Sequence, residues 1–261
     1  MKKVKHIYSN GVDLWKEGIT GNDQYEDTLE VTHERKQVVK GFGGCFNEAG
    51  WEILKNLNND VRNNILDDLF NESGCAFNVG RLPMGASDYA LEWHSYDETP
   101  GDYELKNFSI TRDKEYLLPY VKEAIKRNPA MALFASPWSP PTWMKTKRAY
   151  NFGKLIWEEK NLKAYANYFI KYLESYQNEG IKVEQVHVQN EPVADQKFPS
   201  CIWTGKELRD FIKHYLGPLM KKKGMNTELW LGTINGPFFD FMLEGCAPFS
   251  EFYDQFVNTE I

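Results

Sequence analysis

The stretch Val183-Glu184-Gln185-Val186-His187-Val188-Gln189-Asn190-Glu191-Pro192 decides both the fold and the chemistry of this chain. Val186 and Val188 alternate with Gln185, His187, Gln189 and Glu191. That period of two predicts a pleated strand with the polar set, Glu191 included, on one face. Pro192 has no N–H to donate, so pairing should stop there and leave Asn190 and Glu191 at the strand's carboxyl end. Parallel α/β folds bind their ligands at that end.

Outward from this strand, the same unit repeats. Val38-Val39 leads into Gly41-Phe42-Gly43-Gly44, followed by a helical pattern with apolar positions at Trp51, Leu54, Leu57, Val61, Ile65 and Leu69. A second strand over Ala76 to Leu82 precedes a long polar insertion and a helix over Asp113 to Arg127. A third over Met131 to Ala135 precedes Ser136-Pro137-Trp138-Ser139-Pro140-Pro141-Thr142-Trp143 and a helix over Asn161 to Asn178. After the organising strand, Thr204-x-x-Glu207 is a capping box that opens a helix ending at Gly224, and a fifth strand spans Glu228 to Ile234. A short helix is expected near Ser250 to Val257. Strands alternating with helices, with the long insertions after the strands, predict a parallel sheet closing as a barrel. The competing fold, an open doubly wound sheet, calls for a phosphate loop after its first strand. Gly41 to Gly44 lacks both GxGxxG and the Lys-Ser/Thr of a P-loop.

Residues 1–36 are polar and rich in turn signals, Ser9-Asn10-Gly11 among them, with short alternating pieces such as Leu29-Glu30-Val31. They read as a few strands outside the main body, which occupies residues 37–261. A chain of 261 residues suits one barrel-sized domain of about 250 residues. A net charge of -6 gives no footprint for nucleic acid, and the one basic run, Lys221 to Lys223, falls where a helix should end. Cys45, Cys75, Cys201 and Cys246 are far apart with no CxxC spacing, so reduced, buried thiols are expected rather than a zinc site or a disulfide frame. The N-terminus is basic without an apolar core segment and no later stretch could span a bilayer. The expectation is a soluble, cytoplasmic protein.

The strand ends list Phe46-Asn47-Glu48, Arg81 with Asp88, Trp138 and Trp143, and Asn190-Glu191, and all are expected to meet at one mouth. Glycoside hydrolysis accounts for these residue types. One carboxylic acid protonates the leaving oxygen, a second carboxylate attacks or stabilises the oxocarbenium-like centre, amides and carboxylates hold hydroxyls, and an aromatic face carries the ring. The aromatic content of 15%, with rings placed next to Pro, Gly and Ser, suits sugar faces. A metal site built on His187 and Glu191 fits poorly, since a spacing of four joins one face of a helix and not of a strand.

The runs GFGGCFNEAGW (41–51), RLPMGASDYA (81–90), LFASPWSPPTWMKT (133–146) and VHVQNEP (186–192) resemble glycoside hydrolase family 30, most of all its glucosylceramidase-like branch, over roughly residues 29–257. The resemblance implies a retaining β-glycosidase on a (β/α)8 TIM barrel, here incomplete with about five strand-helix units, plus N-terminal strands belonging to a β-sandwich subdomain. It makes Glu191 the general acid/base, with Asn190 on the hydroxyl beside the anomeric carbon. Asp88 and Trp138 would hold the terminal sugar, and Arg81 would support the nucleophilic carboxylate. No catalytic metal or organic cofactor is implied, and the partner is a β-glycoside, whether oligosaccharide, aryl or lipid glucoside. Family members carry the nucleophile at the end of the seventh strand, which is expected to be missing from these 261 residues. Endo-β-1,6-glucanase and β-xylosidase remain alternatives within the family. A non-catalytic sugar-binding pseudoenzyme or an inactive fragment is the alternative outside it.

Overall fold

The computed structural model describes residues 6–18 and 32–234. The chain divides into two compact units, residues 1–40 and 41–261. In the first, β1 (Ile7–Tyr8) and β2 (Lys16–Glu17) pair antiparallel. The Asn10 side-chain oxygen accepts the N–H groups of Val12 and Asp13 at 2.8 and 2.6 Å, the local turn that Ser9-Asn10-Gly11 announces. Leu29 to Val31 lie outside the described residues.

The second unit runs β3 (Gly43–Cys45), α1 (Glu48–Lys55), α2 (Asn59–Phe70), β4 (Val79–Met84), α3 (Thr111–Tyr116), α4 (Leu118–Arg127), β5 (Ala132–Pro137), α5 (Glu159–Asn178), β6 (Gln185–His187), α6 (Gly205–Phe211), α7 (Gly217–Lys222) and β7 (Glu228–Trp230), with a π turn joining α6 to α7. All five strands are parallel and lie side by side in chain order, β3-β4-β5-β6-β7. A doubly wound sheet reverses its order at a switch point, and this one does not. The sheet is that of a partial TIM barrel.

Register sorts the two faces. Leu82, Ala135, Val186 and Leu229 share one rung; Leu82, Ala135 and Val186 are fully buried in the hydrophobic core. The neighbouring rung, one residue away, is Cys45, Arg81, Phe134, Gln185 and Glu228. Arg81, Phe134 and Gln185 there are half-buried and Glu228 is exposed.

Several sequence expectations are corrected. The first strand is the glycine run itself and not Val38-Val39, which are 85% and 62% exposed. A Cβ at Gly43 would run into the Val79 carbonyl of β4, and one at Gly80 would lie 2.5 Å from the Phe46 ring. These glycines serve the close approach of β3, β4 and the first core ring. The helix expected to run from Trp51 to Leu69 is two, because Asn58 caps α2 by accepting Val61 N–H at 2.9 Å, and Val61 is exposed in its first turn. The helix over Asp113 to Arg127 is likewise two, broken at Leu117 ahead of Pro119. Among the described cysteines Cys201 is buried while Cys45 and Cys75 are exposed, and Cys246 lies outside the described residues. The helix near 250–257 lies outside them too.

The Thr204–Glu207 capping box is present, with Glu207 N–H to Thr204 at 3.1 Å and Thr204 N–H to Glu207 at 2.7 Å. Gly224 follows the last turn with φ +63°. Many of the rings in this aromatic-rich chain are core. Tyr165, Tyr168, Phe169, Tyr172 and Tyr176 on α5 are all completely buried. Among the described residues no helix is long and apolar enough to cross a membrane.

Candidate active site

Arg81 is the hub of the cluster, although it stands in the middle of β4 and not at its end as expected, and its side chain reaches Ser136 near the end of β5 and Asn190 beyond β6. Its guanidinium donates to Ser136 Oγ through Nε at 3.1 Å and Nη2 at 2.6 Å, and Nη2 also reaches Asn190 Oδ1 at 2.6 Å. The same group lies 4.3 Å from the Trp138 ring centroid, a cation–π contact. An arginine fork suits this task because it donates in several directions within one plane. The bond from Arg81 turns the Asn190 carbonyl inward and leaves its amide N–H groups for another acceptor. Burial is the largest influence on the Arg81 pKa and draws it down, opposed by Cys45, Glu191 and Asp88. The carboxylates of Glu191 and Asp88 therefore both lie within electrostatic reach of it. Asp88 is exposed, Trp138 is 5% exposed and Asn190 6%.

Glu191 departs from the strand reading. The β6 ladder ends at His187, Gln189 turns into the core at 0% exposure, and Glu191 takes the left-handed value φ +45°. It does not continue the polar face of Gln185 and His187. That conformation is costly for a residue with a side chain, and a following proline favours extended backbone instead. It is held by a 2.8 Å bond from Glu191 N–H to the Thr233 carbonyl and by the Asn190–Thr233 bridge beyond β7. Beneath the site, the Gln189 side-chain amide donates to the carbonyls of Trp138 at 2.8 Å and Asn190 at 2.9 Å, and its oxygen accepts the Trp203 indole N–H at 3.2 Å.

The loops that carry these residues are tied down separately. Asp88 sits on the insertion after β4, anchored through Glu48, whose buried carboxylate accepts Arg112 at 2.8 and 3.0 Å and Leu91 N–H at 2.8 Å. The loops after β5 and β6 are joined by Lys145, completely buried, whose ammonium donates to the carbonyls of Tyr150 at 2.7 Å and Ser200 at 2.6 Å. Burial pulls the Lys145 pKa down to about 8.

Not every expected residue reaches the mouth. Phe46 is core, Asn47 caps α1 by accepting Gly50 N–H at 2.7 Å, and Glu48 is committed to Arg112. Trp143 is 4% exposed, and its indole donates to the Asp97 carbonyl at 2.9 Å, so it braces the β4 insertion. His187 is stacked between Phe134 and Trp230 at 4.8 and 5.3 Å, with Nδ1 3.2 Å from Thr233 Oγ1. Burial first, then the Arg81 charge, lowers its pKa to about 4. Ser136, Gln189 and Trp203 were not singled out from the sequence. The available signal was Gln189, a long amide one residue past a valine alternation and two before the acid.

Residues 39–233 match the glycosyl hydrolase family 30 TIM-barrel domain. The chain is 34% identical over 222 residues to putative glucosylceramidase 3 of Caenorhabditis elegans, covering 82% of this chain and 42% of that protein. It is 30% identical over 219 residues to an endo-1,6-beta-D-glucanase of Neurospora crassa, covering 80% and 45%. Among solved structures, SrfJ from Salmonella typhimurium superposes with a TM-score of 0.70 at 32% identity, over 74% of this chain and 44% of that one. The chain thus spans less than half the length of the curated relatives it matches. A parallel sheet in sequential order, the site at its carboxyl edge and these similarities agree that the chain belongs to glycoside hydrolase family 30.

Proposed function

We propose that this chain carries the acid/base side of a retaining β-glycosidase site acting on β-glucosides, glucosylceramidase-like in specificity. The observation that carries the reading is the Arg81 cluster, which gathers Ser136, Asn190 and the Trp138 ring beside Glu191. Glu191 protonates the glycosidic oxygen as the bond to the anomeric carbon breaks, then takes the proton from the water that releases the sugar. Asn190, its carbonyl held by Arg81, offers N–H groups to the hydroxyl beside the anomeric carbon. Asp88 accepts from hydroxyls of the terminal sugar and the Trp138 face packs on its ring. Retention needs a second carboxylate about 5 to 5.5 Å from the first. Glu48, bound to Arg112 and Leu91, is unsuited to that role. On this reading a later barrel strand of the whole protein carries the nucleophile, and Arg81 supports it only at a distance, through the charge it brings to the site.

The test is hydrolysis of an aryl β-glucoside by the purified chain, with Glu191→Gln alongside. Turnover that falls by about 10²–10⁴ in the variant supports the acid/base role, the usual contribution of such a group. Turnover indifferent to the substitution removes Glu191 from it. A folded chain with no turnover at all is what a nucleophile carried by a later strand of the whole protein requires, and the same substitution made in the whole protein then decides the role of Glu191. Similarity to an endo-1,6-glucanase favours a second specificity. Comparing β-1,6-linked glucose oligomers with lipid glucosides and aryl xylosides decides between them.

A further inference from the structure

We propose that Gln189 is a positioning residue of this site, one that sets Glu191 and Trp138 without touching the sugar. The inference rests on reading Glu191 as the acid/base. Gln189 is completely buried, so no substrate reaches it. Both of its amide N–H groups are engaged, one on the Trp138 carbonyl just beyond β5 and the other on the Asn190 carbonyl just beyond β6. One planar group thereby fixes the separation of two strand ends.

The Asn190 carbonyl belongs to the peptide that leads into Glu191, and the N–H on the other side of that peptide donates to Thr233 at 2.8 Å. The peptide plane is gripped at both edges. Glu191 turns from that plane at φ +45° and precedes a proline, so two local preferences push it toward extended backbone. Released from the grip, it would rotate about its N–Cα bond and carry its carboxyl away from Asn190 and Arg81. Trp138 would lose its tie at the same moment. Trp203, accepting no such strain itself, orients the Gln189 amide through its indole N–H and so decides which end of the amide faces the carbonyls.

Only a side chain with two donors and one acceptor in a plane satisfies all three partners. Methionine fills the space and supplies no donor. An ionised glutamate presents oxygen to oxygen, whereas a protonated one restores a single donor. These differences provide the test, made on the full 261-residue chain by hydrogen exchange, with a gluco-configured iminosugar as the binding probe. In Gln189→Met, exchange at Glu191 N–H should rise by about tenfold or more relative to Val121 N–H, an α4 amide remote in sequence from the site, because two buried carbonyls lose their donor. Iminosugar affinity should fall with it. In Gln189→Glu the excess exchange should shrink as pH drops into the carboxyl range.

A side chain that merely fills the core would speed both amides alike and give a ratio indifferent to pH, which overturns the proposal. If the wild-type chain binds no iminosugar while the ratios move as described, this chain alone forms no sugar site and the positioning role stands. Should the methionine variant not fold, the pH dependence of the glutamate variant decides alone, and a flat ratio overturns it.

Discussion

The two faces of the five-stranded sheet differ by one residue in register and in almost everything else. Leu82, Ala135 and Val186 line a rung sealed by helices, while Arg81, Phe134, Gln185 and Glu228 line the adjacent rung, half-buried to exposed. The first holds the fold together, and the second carries charges and polar rings toward the strand ends. Because side chains alternate at every step, a shift of one position would exchange the two sets. The comparison teaches that stability and chemistry are separated here by face and not by distance.

The largest effect should come from the sealed rung. Leu82→Ala is expected to cost about 2–5 kcal/mol, the range for emptying a packed leucine site, measured by denaturant unfolding. A cost well under 1 kcal/mol would mean that the outer face is loosely packed and would break the contrast.

The next test sharpens the inner face. His187 has a folded pKa of about 4 against an ordinary 6.5, so between those values the unfolded chain binds the proton and the folded chain does not. Its contribution to stability is therefore complete above about pH 6.5 and is lost as pH falls toward 4. His187→Phe, which keeps a ring between Phe134 and Trp230, should flatten the stability profile over that window. An unchanged profile would show that the histidine takes up its proton in the folded state, as an open face would allow.

The smallest effect belongs to Trp230, 46% exposed at the sheet edge and stacked on His187 at 13°. Trp230→Ala should cost about 0.5–1.5 kcal/mol, the worth of one ring pair. A loss as large as that of Leu82→Ala would reveal that both faces are equally sealed.

Much of this was legible in advance, and the reasons are local. Alternation in Val186 to Val188, the Thr204–Glu207 capping box and Gly224 at a positive φ each depend on residues within a turn of one another. Breaks inside helices were missed because Asn58 and Pro119 act against a continuous apolar pattern, and a cap outweighs periodicity over so few residues. Glu48 and Trp143 sat at strand ends like the site residues, yet Arg112 and the Asp97 carbonyl claim them. Nothing near either residue in the chain announces those partners.

By itself the sequence determined the alternation of strand and helix and the residue types collected near the strands' carboxyl ends, because period, capping and turn chemistry are properties of neighbours. Only the tertiary structure decided which of those residues meet. Arg81 joins Ser136 and Asn190 across 55 and 109 residues of chain, and Gln189 reaches Trp138 across 51. The left-handed turn at Glu191, against the preference of a residue before proline, is sustained by bonds that exist only once β5, β6 and the segment after β7 lie side by side.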